Sequence, residues 1–391
     1  PILGILFLSI IARPVTAGLF DDWGRTAEIR FTGYGGGRET LTDFPALVKI
    51  GEDLIPGFRY SDFESDGSGD GWNELRFTDG TRTNELPFEV ETWDTGGTSY
   101  VWVAVNELTD AGTAVKSIWM YWGKSGETTA PDYSSDGTVW TTNDYLAVWH
   151  LHQGPADPAP QMKDATGRGH DGTCGEDVTT EDQVPGLAGG ALDLDGPTAY
   201  GTSGTASDEY VDVGAGGADF TFATGEDFTL SGWMKIHEGV SGQHLRGLSS
   251  YDGSSPQDFL NCSVADTDEA AGAFRDASGQ MANMKHGDVV ADHEWHFVVV
   301  VRDTAADKAY LYVDGALGST TDPDPTTTTI TPTTTVMLGH EPEDRGLNMD
   351  GLLDEFRISS RALSADRIWA EYQNMASNET AFATYERARP N

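Results

Sequence analysis

Short runs of β-branched and aromatic residues, each closed by Gly, Asp, Ser or Thr, recur along nearly the whole chain. Ala46–Ile50, Leu86–Trp93, Ser99–Val105, Ser117–Trp122, Tyr210–Val213, Phe228–Met234, His296–Arg302 and Ala309–Val313 are the clearest. Runs of this length, with turn residues between them, are too short and too regularly interrupted for helices and read as antiparallel strands of sandwiches or barrels. Helical spacing occurs convincingly once, where Ile368, Trp369 and Tyr372 follow Ser364, a residue suited to cap a helix over Ala365–Met375. The chain is therefore expected to be all-β, with one short helix near its C-terminal end.

Character divides the chain into two β blocks. Residues 18–125 form an N-terminal β domain. A loop-rich connection over 126–190, marked by Pro155, Pro158 and Pro160, leads to a second β domain at 191–376, whose first strand starts as early as 145, and 377–391 reads as a tail. Residues 1–17 contain an apolar stretch, Ile2–Ala12, that is too short for a comfortable membrane span. Val15-Thr16-Ala17 suits signal-peptide cleavage, so export to the outside or the cell surface is expected; the alternative is a buried N-terminal strand or helix.

With 24 Lys and Arg against 63 Asp and Glu, the formal charge is −39. Such a surface excludes a nucleic-acid partner held through basic residues. Cys174 and Cys262 are the only cysteines; in an exported protein they are candidates for one disulfide, although nothing in their spacing shows that they meet. Asp62–Asp70 resembles part of a calcium loop, but Asn73 stands at the twelfth position, and an acidic turn is the simpler reading. The nine His read as scattered structural side chains, and no catalytic nucleophile, phosphate loop or zinc motif is evident.

One hairpin is sided. Pairing Trp93 with Tyr100 puts Phe88, Val90, Thr92, Val101, Val103 and Val105 on one face, the expected core. Glu89, Glu91, Trp93, Tyr100 and Trp102 fall on the other. Rings mixed with carboxylates either pack beneath the second domain or form a surface for a sugar. Glu91, Trp93, Tyr100 and Trp102 are thus the candidate ligand-binding residues.

The ordered segments Trp23–Ile29, Leu41–Val48, Leu75–Asp79, Leu86–Trp93, Tyr100–Val103 and Ile118–Gly123 resemble domain-of-unknown-function family 2341. From about 145 to 375, Gly189–Gly196, Tyr210–Val213, Phe228–Met234, Glu294–Val300, Ala309–Gly315 and Gly351–Ser364 resemble the concanavalin A-like, laminin-G-type jelly roll. The first resemblance implies an exported β domain and no catalytic residues. The second implies a jelly-roll sandwich and calcium held by acidic residues of its first and last strands, for which Asp195 and Asp354 stand in comparable positions. The E-x-D-x-x-E strand of the hydrolases sharing that fold is absent. Leu352–Ile358 offers only Asp354 and Glu355, whose carboxylates, on a regular strand, point to opposite faces.

These readings converge on a secreted or surface-attached, noncatalytic protein that recognises a glycan or another surface polymer, with calcium as the expected cofactor. The alternative is a structural subunit of a filament or surface layer that self-associates by burying its apolar N-terminus in a neighbour. A part of a longer membrane protein is a third reading, and a hydrolase the least supported.

Overall fold

The computed structural model describes residues 18–63, 71–110, 117–196, 209–237, 245–250, 259–265, 267–318, 322–332, 335–342 and 348–391. The apolar export segment, on which filament packing was also argued, and most of the acidic loop at 62–70 lie outside these residues.

The first unit contains β1 (Arg25–Arg30), β2 (Leu41–Ile50), β3 (Arg76–Asp79), β4 (Phe88–Thr92), β5 (Ser99–Leu108) and β6 (Ser117–Trp122). One sheet joins β1, β6 and β3, and a second runs β2-β5-β4. Period-two alternation directs Ile29, Phe77, Met120 and Trp122 from the first sheet against Phe44, Val48, Phe88, Val101, Val103 and Val105 from the second. The aliphatic face expected of the hairpin is therefore this core.

After a short helix, α1 (Thr138–Thr141), the chain enters the second unit through β7 (Tyr145–Trp149), β8 (Thr173–Cys174), β9 (Gln183–Pro185), β10 (Gly190–Leu194) and β11 (Val211–Gly214). Next come β12 (Phe228–Ile236), β13 (Leu245–Ser249), β14 (Phe259–Val264), β15 (Glu269–Arg275) and β16 (Met281–Val289). Then follow β17 (Trp295–Asp303), β18 (Lys308–Val313), β19 (Ala316–Leu317), β20 (Asp322–Pro323), β21 (Val336–Leu338) and β22 (Gly351–Ser359). A nine-stranded sheet centred on β17-β12-β22 faces a seven-stranded sheet of order β16-β15-β14-β13-β21-β11-β8, as in a jelly-roll sandwich. Gly232 of β12 leaves room for the Phe356 ring of the neighbouring strand β22, since a Cβ there would fall 2.6 Å from that ring.

The nine-stranded sheet is buried on both faces. Val298 and Val300 of β17 enter the sandwich core, whereas Phe297, Val299 and Val301 enter a third apolar layer together with Leu47, Trp102, Trp140, Tyr145 and Trp233. That layer joins the two units, so four sheets stack face to face. Fully burying side chains of this size stabilises by roughly 2–3 kcal/mol each, which ties the units firmly.

Helix α2 (Ala365–Ala376), capped by the Ser364 hydroxyl accepting from the Arg367 N–H at 3.2 Å, closes one side of this junction. Its Asn374 side chain accepts from the Leu47 N–H at 2.6 Å and donates to the Leu47 carbonyl at 3.1 Å, completing the open edge of β2. Residues 377–391 are more than a tail. They form β23 (Thr384–Tyr385) and β24 (Arg389–Pro390), which both pair with β1 and return the chain to the first unit.

Candidate functional site

Two places on the molecule concentrate polar chemistry. The first is a recess of about 330 Å³ on the outer face of the seven-stranded sheet. Along β14, Leu260, Cys262 and Val264 point to the core, so Phe259, Asn261 and Ser263 point outward. On β15, Ala271 and Ala273 supply a methyl-sized floor and Arg275 a wall; on β16, Met281, Asn283 and Lys285 complete it, with Arg246 of β13 at the other side. Arg246 lies 3.3 Å from Glu341, and the Arg275 guanidinium sits 5.0 Å from the centre of the Phe259 ring. Among the described residues, three cations and no carboxylate line this recess, in a chain with far more acids than bases.

The second place lies in the layer between the units. A β-bulge between Val90 and Thr92 shifts the hairpin, so that Glu89, not Glu91, stands opposite Trp102, and Thr92 stands opposite Tyr100. Glu91 nevertheless accepts from the Trp102 indole N–H at 2.8 Å, and Glu89 from that of Trp140 at 2.5 Å. On the facing sheet β22 also bulges. Leu353, Phe356 and Ile358 are its core residues, Leu352 is only half-buried, and Glu355 adopts φ 53°. The extra residue reverses the alternation, so Asp354 and Glu355 both face the junction; the expectation of opposite faces is corrected.

His150, just past β7, is the centre of this cluster. Its Nδ1 lies 2.5 Å from Glu355 Oε1 and 3.8 Å from Glu91 Oε2, and its Nε2 lies 3.7 Å from Glu89 Oε1. His152 Nδ1 is 3.9 Å from Glu91 Oε1. The Arg357 guanidinium donates to Glu355 at 2.6 Å and lies 4.7 Å from the Trp102 ring centre. Burial opposes charge on His150, but Glu355 and Glu91 outweigh it and hold its pKa well above the ordinary value. Burial also pushes the Glu91 and Asp354 carboxyls well up, aided for Asp354 by Glu355. Glu355 moves the other way, because His150 and Arg357 overcome its burial. His152 is driven down to about 4 by burial and by the charge of His150.

Of the sequence-derived ligand residues, Glu91 and Trp102 are buried in this junction and are not a solvent-facing platform. Trp93 packs edge-on against Tyr60 and Phe63 on the first unit's core, and Tyr100 is half-buried beside the junction layer. The four therefore form no common surface. Asp195 and Asp354 do not share a calcium ion. Leu194 pairs with Gly351, which leaves Asp195 about 13 Å along the strand from Asp354, and Asp354 Oδ2 already accepts from the Leu187 and Ala188 N–H groups. Cys174 and Cys262 are both free thiols, so the disulfide is not formed. His150-Leu151-His152 is an H-x-H pair that the reading of scattered His passed over, and it is the signal that marks the junction cluster.

Residues 71–145 match the family described as Domain of unknown function (DUF2341), and residues 204–369 the Concanavalin A-like lectin/glucanases superfamily. The chain carries these two regions in that order. No curated protein matches it by sequence. Among solved structures, it is similar to the binding domain of Paraclostridial Mosquitocidal Protein 1, at 14% identity and TM-score 0.46, over 59% of this chain and 52% of that one. The Botulinum neurotoxin serotype D ligand binding domain in complex with N-acetylneuraminic acid gives 14% identity and TM-score 0.44, over 60% and 52%. Domain 4 of an extracellular arabinanase from Geobacillus stearothermophilus, in complex with arabinotriose, gives 14% and 0.41, over 58% and 97%. The chain spans about half the length of the toxin binding domains it matches.

Proposed function

We infer that this is a noncatalytic binding protein of the cell exterior whose recess on the seven-stranded sheet takes an anionic saccharide chain. The observation that carries the reading is the lining itself. Arg246, Arg275 and Lys285 supply positive charge, Asn261 and Asn283 supply paired donors and acceptors for hydroxyls, and Phe259 supplies an apolar face for a sugar ring. A uronate, sialate or sulfated unit uses all three kinds of group. Charge of this sign, set in a strongly acidic surface, also steers an anionic polymer to one place and repels it elsewhere.

The test is affinity electrophoresis and a glycan array with the whole chain, with and without calcium. Binding to polyuronate or sialylated glycans is expected in both conditions, declining with added salt. Arg275→Ala and Lys285→Ala are each expected to weaken binding roughly tenfold, the loss of one charge-assisted hydrogen bond. Preference for neutral glucans, or binding untouched by both substitutions, would sink the reading.

A further inference from the structure

We propose that the junction between the two units is a binding site for one divalent first-row transition ion, zinc being the fitting probe, with Glu91, His150 and Glu355 as ligands and His152 as the fourth. One donor atom from each of Glu91, His150 and Glu355 lies within 4.8 Å of the other two, and all three residues are buried. The site is independent of the recess on the outer sheet.

A network built only of ion pairs and hydrogen bonds has its polar atoms satisfied, because an unpaired buried group is costly. This one does not. Glu91 Oε1 and Asp354 Oδ1 are buried without a hydrogen bond, and so is His152 Nδ1, while His150 presents Nδ1 to Glu91 and Glu355 and its Nε2 lies 3.7 Å from Glu89. The Glu91, His150 and Asp354 side chains are at most 1% exposed or belong to fully buried residues, so solvent does not complete them. Separations of 3.8 Å from Glu91 Oε2 to His150 Nδ1 and 3.9 Å from Glu91 Oε1 to His152 Nδ1 are too long for hydrogen bonds. They are close to the roughly 3.4 Å between neighbouring donors around a tetrahedral ion with ligands at about 2.1 Å.

The backbone keeps that space open. Gly189, at φ 82°, faces Glu91 Oε1, and a Cβ there would fall 2.7 Å from it. Imidazole nitrogen with carboxylate oxygen, and no thiolate, selects zinc, manganese or iron(II) over calcium and magnesium, which prefer oxygen alone. The ligands come from β4 of the first unit, from the segment after β7 and from β22 of the jelly roll, so the ion would fasten the two units together.

The whole chain, stripped with dipicolinate and passed into metal-free buffer, is offered zinc, manganese or calcium, desalted and assayed by elemental mass spectrometry. About one retained zinc per chain is expected, with calcium not retained and the thermal midpoint raised by zinc. Cobalt(II) should give visible d–d bands that change on His152→Ala. His150→Gln and Glu355→Gln are expected to abolish retention, and His152→Ala to weaken it by roughly tenfold or more. If the two buried variants do not fold, His152→Ala decides, since that side chain is partly exposed and makes no hydrogen bond through its Nδ1. No zinc retained by the wild-type chain, or equal retention by every folded variant, overturns the proposal.

Discussion

Replacing Asp276 by Asn isolates one buried anion and tests how the Thr-rich segment is held. Asp276 is fully buried at the end of β15. One oxygen accepts from the Ser278 N–H at 3.0 Å, the Ser278 hydroxyl at 2.8 Å and the Gln280 N–H at 2.9 Å. The other accepts from the N–H groups of Thr327 at 2.6 Å and Thr328 at 2.9 Å, binding the β15–β16 turn to the segment after β20. Burial raises the carboxyl pKa, but these donors overcome it and hold the group at about 2 against 3.8. That difference corresponds to about 2 kcal/mol at neutral pH. Asparagine keeps the shape but turns an N–H₂ group towards backbone donors, stranding two of them, so a loss of about 2–4 kcal/mol is expected. Because the folded pKa is depressed, the contribution is fully present above the unfolded value and is lost as pH falls through the folded one. The gap between wild type and Asp276→Asn in urea unfolding should therefore narrow by about 1 kcal/mol between pH 6 and pH 3. A gap under about 0.5 kcal/mol at neutral pH, or one indifferent to that change in pH, refutes the reasoning.

Gly232→Ala drives a methyl group into the Phe356 ring inside the sandwich and should lower the urea midpoint by an amount equivalent to about 1–3 kcal/mol. Asn374→Ala strands the Leu47 N–H on the edge of β2, while the Leu47 carbonyl keeps Asn378 as a donor at 2.7 Å. Hydrogen exchange should show the Leu47 amide losing protection, with a cost of about 1–3 kcal/mol in stability. Two thiols per chain should react with a thiol reagent after unfolding without reductant. In the folded protein Cys262, whose pKa burial pushes up to about 12, should stay inert, and reductant should leave the thermal midpoint unchanged.

The sandwich was legible because strand spacing and period-two burial are local properties. The Val298–Val301 run, apolar at every position, reported a strand covered on both faces, and the covering layer is the first unit. Alternation placed Glu91 on the face of Glu89 and Trp102, where it is found, and failed just beyond it. The bulge between Val90 and Thr92 turns Trp93 to the first unit's core, and the extra residue in β22 brings Glu355 to the same side as Asp354; no glycine marks either place. The second irregularity is what adds the Glu355 carboxylate from the facing sheet to the junction, so alternation alone did not show the cluster. The recess was hidden differently, since Arg246, Arg275 and Lys285 are far apart in sequence and only strand pairing makes them neighbours. Strands of two residues such as β23 and β24 carry no pattern long enough to read.

The return of the chain to β1 governs how the molecule bears mechanical load. Arg25 lies opposite Pro390 and Thr26 opposite Arg389, so the chain between them, the jelly roll included, is closed into a loop by a short antiparallel pair. A pull applied between residues 25 and 390 enters both strands at the same end and opens the pair as a zipper, one bond at a time. Tension is taken up there first, at the outermost sheet of the stack, while the sheet bearing the recess, at the opposite end, carries none. The joint that opens first thus shields the shape of the recess.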